Sequence, residues 1–250
     1  MLREGNILKL VYRKRESLFD LLYPRDCIHC SQVVPDGGPL RYLCSSCFLD
    51  VEIFKPPCCQ ICGFPFYGMV VGDRVCPHCK DLNPKFKRGY TAFHLRGPMR
   101  DLVHALKYQR GFYAIQDLIT VLLMSPGIRE LLVDAVLVPV PLHPWRQFRR
   151  SYNQSLLLAK RLVQEVPGAR LENILQRVRW TGSQTRLSRE RRQRNMRASF
   201  ELKKGFSVNP NNHYVVLDDV FTTGSTLNAC CAVLRQGFAT NLDILAFGHG

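Results

Sequence analysis

From residue 88 onward, short apolar runs alternate with amphipathic segments, the pattern of a parallel sheet covered by helices. Residues 90–95 read as an edge strand, and 99–108 as a helix with Leu102, Val103 and Leu106 on one face. Residues 133–142 form a run that is apolar but for Asp134, as expected for a strand buried on both faces. A helix is expected over 152–164, a strand over 171–178, and a very basic helix or loop over 188–197. Val215, Val216 and Leu217 then lead as a strand into Asp218. Leu227, Cys230, Cys231 and Leu234 recur at i, i+3, i+4 and i+7, one face of a helix. Residues 242–247 close the sheet.

The first third of the chain follows another rule. Residues 1–24 read as an amphipathic helix ending at Pro24, with Leu18, Phe19, Leu21 and Leu22 on its second half. Lys9 interrupts the apolar residues before it and residues 13–15 are basic, so this is no secretory leader. Core packing is favoured for it over docking on a membrane surface. No apolar run approaches the length of a membrane span, and a cytoplasmic protein is expected.

Residues 25–85 carry four Cys-x-x-Cys knuckles: Cys27/Cys30, Cys44/Cys47, Cys59/Cys62 and Cys76/Cys79. Thirteen residues separate the first from the second, and thirteen the third from the fourth. A two-residue spacer lets a tight turn aim two thiolates at one tetrahedral cation, and two knuckles complete a closed four-sulfur zinc shell. Two structural zinc ions, with no open position for catalysis, are therefore expected in a double zinc ribbon. Sequential pairing of the knuckles is favoured over interleaving. A disulfide framework is the rival reading, disfavoured without an export signal. A module with so little core draws its folding energy largely from the metal.

Charge narrows the partners. The formal net charge is +15, and two stretches supply most of it. Residues 141–161 hold five cations and no acid, while 177–204 hold eight arginines and two lysines against Glu190 and Glu201. Solvated helix faces would explain either stretch alone. Their concentration in the chain ahead of a candidate anion site favours a phosphate-bearing partner.

That site lies at residues 215–226, which run V-V-L-D-D-V-F-T-T-G-S-T from a strand into a helix. Ligands of open α/β sheets sit beyond the carboxyl ends of strands. Gly224 lets the backbone approach an anion, and Thr222, Thr223, Ser225 and Thr226 add hydroxyls at the positive end of a helix. Asp218 and Asp219, just upstream, would repel phosphate but suit ribose hydroxyls and a magnesium ion. The pattern asks for a phosphorylated sugar. These twelve residues resemble the signature of type I phosphoribosyltransferases, which bind 5-phosphoribosyl 1-pyrophosphate (PRPP) together with Mg2+.

The chain further resembles the ComF family, proteins tied to DNA uptake and natural transformation in competent bacteria. The resemblance covers residues 18–250. It rests on the cysteine groups, Lys107-Tyr108, V-P-V-P-L-H-P-W-R at 138–146, Tyr152-Asn153-Gln154, T-G-S-Q-T-R-L-S-R-E-R-R-Q-R-N at 181–195, Phe200 and the PRPP signature. One position departs: Ser151 stands where the family has glycine before the aromatic-Asn-Gln. A backbone there that needs positive φ would strain Ser151 and put the role of Arg150 in question.

The resemblance implies an N-terminal helix (1–24), a double zinc ribbon (25–85) and a phosphoribosyltransferase-like domain (88–250). It implies displacement at the ribose anomeric carbon through an oxocarbenium-like state, with pyrophosphate leaving. Thr222, Thr223, Gly224, Ser225 and Thr226 would hold the 5-phosphate, and Asp218 and Asp219 the ribose hydroxyls, with Asp219 assisting proton transfer. Lys107, Arg146, Arg149 and Arg150 are candidates for the pyrophosphate. Residues 181–197 are either a cover over the site, with Gln184 and Asn195 as polar contacts, or a surface helix.

Two function classes remain open. One is a transferase whose acceptor base or amine the sequence does not name. The other is a non-catalytic protein that holds single-stranded DNA and uses PRPP as a ligand or regulator. Arg189, Arg191, Arg192 and Arg194 would then meet phosphates, and Trp145, Phe148, Tyr152 and Trp180 are either stacking platforms or core. The ribbons fit docking of a competence-machinery protein under either class.

Overall fold

The computed structural model of the protein describes residues 25–68, 74–142, 151–178 and 199–250. The expected N-terminal helix over 1–24 and the basic segment over 188–197 lie outside them. The described residues form strands β1 (Gly89–His94), β2 (Val136–Pro139), β3 (Arg170–Leu171), β4 (Leu175–Arg177), β5 (Phe200–Leu202), β6 (His213–Phe221) and β7 (Asn241–His249). Five of these make one parallel sheet in the order β1-β7-β6-β2-β3, and β4 and β5 pair antiparallel apart from it. The helices are α1 (Ser45–Leu49), α2 (Gly97–Tyr108), α3 (Ile115–Met124), α4 (Ile128–Leu132), α5 (Gln154–Glu165) and α6 (Ser225–Gln236).

Side chains alternate across a strand, so the central strands feed two separate apolar layers. Leu137, Val215, Leu217, Leu245 and Phe247 pack on one side with Leu102 and Leu106 of α2, Leu118 and Leu122 of α3, and Leu158 and Leu162 of α5. Val136, Val138, Tyr214, Val216 and Ile244 pack on the other with Leu227, Cys230, Cys231 and Leu234 of α6. The spacing of those four α6 residues matches their burial.

Two expected elements change shape. The strand expected over 171–178 breaks in two: Arg170–Leu171 extends the sheet beside β2, and Leu175–Arg177 turns away to pair with β5. Lys203 fixes the break, its backbone N–H donating to Ile174 O at 2.8 Å and its Nζ to Asn173 O at 2.6 Å. The strand expected over 133–142 contracts to Val136–Pro139.

The cysteine-rich segment is clamped over the sheet's edge at β1. Phe54 N–H donates to Ala92 O at 2.8 Å and His94 N–H to Glu52 O at 3.1 Å, which satisfies an edge that would otherwise expose unpaired groups. Cys27, Cys44 and Cys47 join the first apolar layer, and Cys59, Cys62, Cys76 and Cys79 join the second. The two cysteine groups therefore straddle the sheet. Buried Asp117 of α3 ties down the first, accepting from Arg41 N–H at 2.9 Å and Tyr42 N–H at 2.8 Å. The second lies so close to β1 that a Cβ on Gly89 would fall 2.1 Å from Ile61 O.

Candidate functional site

Strand β6 does not stop at the acids; it carries Asp218 and Asp219 within its own length and ends at Phe221. The chain then turns through residues 222–224 into α6. Gly224 sits at φ 67°, left-handed, at the position preceding the helix. A Cβ there would fall 2.6 Å from Phe221 Cζ and 3.2 Å from Leu82 Cδ2, so both conformation and space demand glycine. Thr222 and Thr223 stand exposed, and Thr223 Oγ1 and Ser225 Oγ lie 3.0 Å apart. Loop hydroxyls thus gather at the start of a twelve-residue helix, whose first N–H groups have no carbonyl partners within it.

The acids meet partners from two other helices. Lys107, in the last turn of α2, places Nζ 3.0 Å from Asp219 Oδ2. Ser155, in the first turn of α5, donates its hydroxyl to Asp218 Oδ1 at 2.9 Å, and Asp219 N–H donates to the same oxygen at 2.9 Å. Burial, and then the neighbouring charge of Asp219, push the Asp218 carboxyl up to about 7; those two hydrogen bonds and Lys107 pull the other way. One ammonium faces two carboxylates, which leaves a local demand for a further cation or for hydroxyl donors.

The Tyr-Asn-Gln segment positions the start of α5. Asn153 caps the helix by accepting from Leu156 N–H at 3.3 Å, while its Nδ2 donates to Val140 O at 3.0 Å beyond the end of β2. Tyr152 donates its hydroxyl to Leu106 O and lies edge-to-face with Phe112, centroids 4.8 Å apart. Ser151 takes φ 65°, the conformation that makes glycine the favoured residue there. Among the sequence candidates, the structure brings together Lys107, Asp218, Asp219, Thr222, Thr223, Gly224, Ser225 and Thr226. Arg146, Arg149, Arg150, Arg189, Arg191, Arg192 and Arg194 lie outside the described residues, as do Trp145, Phe148, Trp180, Gln184 and Asn195. The sequence reading missed Ser155. Its one local signal is its place just after the capping Asn153, where a helix start faces the strand ends.

Sequential knuckles converge. The Sγ atoms of Cys27, Cys30, Cys44 and Cys47 lie within 4.8 Å of one another, and so do those of Cys59, Cys62, Cys76 and Cys79. Backbone N–H groups point at these sulfurs: Cys44 at Cys27 Sγ (3.4 Å), Cys47 at Cys44 Sγ (3.4 Å) and Cys76 at Cys59 Sγ (3.3 Å). N–H donors of this kind stabilise thiolates, and four sulfurs at this spacing fit a closed tetrahedral zinc ion. Both cysteine sites fit structural zinc. The neighbouring histidines are engaged elsewhere: His29 Nδ1 sits 2.7 Å from Asp101 Oδ2, and His78 packs against Phe64 and His249. Cys58 donates to Lys55 O at 3.2 Å.

Comparison with known proteins adds four findings. The family model of the double zinc ribbon domain matches residues 18–80. Competence protein F of Haemophilus influenzae is 31% identical over 219 residues, covering 84% of this chain and 90% of its own. The DNA utilization protein YhgH of Salmonella typhimurium is 32% identical over 203 residues, covering 79% of this chain and 86% of its own. A solved hypoxanthine phosphoribosyltransferase from Staphylococcus aureus aligns with 54% of this chain and 62% of its own, at 15% identity and a TM-score of 0.32. This chain thus spans less than two thirds of that enzyme, and at that score the fold description stands on sheet topology alone.

Proposed function

This chain belongs to the family of competence protein F, and we propose that it is a PRPP-binding, phosphoribosyltransferase-like protein acting in DNA uptake. The observation that carries the reading is a single juxtaposition. The end of β6 offers two carboxylates beside Lys107, and residues 222–226, the turn and the first residues of α6, carry four hydroxyls. A ribose 5-phosphate has the matching polarity, a dianion at one end and a diol at the other. The DNA-uptake part rests on what the relatives are called, competence protein F and DNA utilization protein.

In this reading the backbone of 222–226 and its hydroxyls hold the 5-phosphate, while Asp218 and Asp219 accept from the ribose hydroxyls. A magnesium ion bound with PRPP, within reach of these carboxylates, would neutralise the pyrophosphate. Lys107, now on Asp219, is the described cation placed to move onto pyrophosphate oxygens as PRPP arrives. Arg146, Arg149 and Arg150 are candidates to join it. The bond from the anomeric carbon to pyrophosphate oxygen breaks as the acceptor's lone pair forms the new one. The acceptor's proton leaves through Asp219 or solvent.

Calorimetry with magnesium and PRPP tests the site. The wild type is expected to bind, and Asp218→Ala with Asp219→Ala to abolish binding, because ribose contacts vanish together. Unchanged affinity in the double variant would overturn the assignment. Pyrophosphate release against a panel of bases and amines separates a transferase from a protein that only senses PRPP.

Charge favours a second activity beside the first, binding of single-stranded DNA, in a chain whose net charge is +15. Eight arginines and two lysines within 177–204, Arg189, Arg191, Arg192 and Arg194 among them, would meet phosphates. A competence-machinery protein is the partner class that fits the ribbons. A cytoplasmic site of action follows from a PRPP ligand, and among the described residues no helix is long and apolar enough to cross a membrane.

A further inference from the structure

Helix α5 has two working faces. It buries Gln154, Ser155, Leu158, Ala159 and Leu162 toward the sheet. Leu157, Lys160, Arg161 and Gln164 form a separate stripe at i, i+3, i+4 and i+7, and line a groove of about 330 Å³. The opposite wall comes from the 3-10 turn Phe112–Ala114 and the start of α3, with Phe112 at its rim.

Three observations give this groove a chemistry. First, aromatic surface is left open beside it: Phe112 is 46% exposed and Tyr108 62%, at the end of the helix leading into the turn. Phe112 leans edge-on against Tyr152, and Tyr108 lies tilted against His104, each pair with centroids 4.8 Å apart, so the rings are held in place rather than trailing in solvent. Second, the lining residues include cations but no acid. Arg161 is committed: it bonds Gln116 and Gln164 and pairs with Glu165 at 2.6 Å, which balances that carboxylate. Among the described residues, Lys160 stands exposed with no partner, and the Arg110 side chain touches only Ser151 Oγ at the 3.5 Å limit of a hydrogen bond. Third, the groove opens beside Tyr152, two residues before the α5 turn whose Ser155 holds Asp218.

A scattered exposed aromatic needs no explanation. A fixed ring at the rim of a groove with no acid in its lining, with Lys160 in the wall and Arg110 two residues before Phe112, calls for a ligand that alternates flat apolar faces with negative charge. We propose that this groove takes a base of single-stranded nucleic acid, stacked at Phe112, with neighbouring phosphates on Lys160 and Arg110. The proposal rests on the nucleic-acid reading above and gives it a surface among the described residues.

The test is fluorescence anisotropy with a labelled oligothymidylate strand and zinc-loaded, full-length protein, at several salt concentrations. Phe112→Ala is expected to weaken binding roughly tenfold with the salt slope unchanged. Phe112→Leu, which keeps apolar bulk without a π-face, is expected to weaken it similarly. Lys160→Ala should flatten the slope of log affinity against log salt by about 0.7, the release from one phosphate contact. Phe238→Ala, an exposed ring elsewhere, should change neither affinity nor slope. Circular dichroism and zinc content confirm that each variant folds. A strand bearing iodouracil should photocrosslink to the peptide holding Phe112 or Tyr152.

The failures are distinguishable. Wild type that ignores the strand even at low salt overturns the nucleic-acid reading and the groove with it. Wild type that binds, with the groove variants unchanged and crosslinks confined to 179–198, overturns the groove alone. Strand binding unchanged but self-association lost in the groove variants would assign the surface to a second copy of the chain.

Discussion

Ser151 shows how one residue carries a backbone cost. At φ 65° it occupies the left-handed region, which disfavours residues with a Cβ by roughly 1–2 kcal/mol. The next two residues hold it there: Tyr152 is bonded to Leu106 O and Asn153 caps α5, so the chain cannot relax by swinging away. Ser151→Gly removes the Cβ clash but gives the unfolded chain more freedom. The net expectation is a gain of about 1 kcal/mol, read as a raised urea midpoint with an unchanged slope. A lowered midpoint would mean that the contact with Arg110 outweighs the strain. Asp218 carries a cost of a different kind. Its carboxyl is raised to about 7 in the folded protein, against about 3.9 in an unfolded chain. The folded state therefore keeps a proton that the unfolded state has lost, and the stabilisation this gives is complete below about pH 4 and lost as pH rises toward 7. A ligand that needs the carboxylate must expel that proton. PRPP affinity should then rise by up to tenfold per pH unit below pH 7 and level off above it. Calorimetry across that range, in buffers of different ionisation enthalpy, should show proton release that Asp218→Asn removes. A flat profile in the wild type would show that the site does not use Asp218 as an anion.

Elements were legible wherever one contiguous segment carries its own signal. The strand-loop-helix of 213–236 is such a segment, because an apolar strand, a glycine and a helix repeat follow one another without a gap. The cysteine knuckles are another, since a fixed spacer implies a turn. Residues 115–132 gave no reading, and the structure fills them with α3 and α4. Leu118, Ile119, Val121 and Leu122 are all buried, and a helix so enclosed shows little polar contrast along its sequence. The run at 171–178 misled because period alone does not say which sheet a strand joins. Partners distant in sequence were the hardest part of the site. Lys107 stands out as a cation before Tyr108, but its 3.0 Å contact with Asp219 depends on α2 ending beside β6. Ser155 is an ordinary residue until α5 is laid across the strand ends, where its hydroxyl becomes the partner of Asp218.

At the scale of the whole molecule, the two cysteine sites have different mechanical roles because they sit on opposite layers of the sheet. The first leans on α2 and α3, through His29 with Asp101 and through Arg41 and Tyr42 with Asp117. The second leans on the loop between β6 and α6. Its four cysteines share an apolar cluster with Phe221 and Leu227, and Leu82 closes over Gly224. Just downstream, Asn228 near the start of α6 accepts from Lys85 N–H at 2.7 Å and donates to Asn83 O at 2.9 Å, and Arg235 donates to Lys85 O at 3.0 Å. The free energy of zinc binding is folding energy for such a module, so losing the second ion should loosen what it braces. Wild type should carry two zinc ions per chain by elemental analysis, and Cys62→Ser and Cys30→Ser one each. Backbone hydrogen exchange then separates the roles. Cys62→Ser should speed exchange over 221–228, whereas Cys30→Ser should leave that stretch protected and speed exchange over 97–108. Equal exchange over 221–228 in the two variants would show that the loop stands without the ribbon. The expected asymmetry would make zinc at one site, far earlier in the chain, a condition for the shape of the loop that leads into α6.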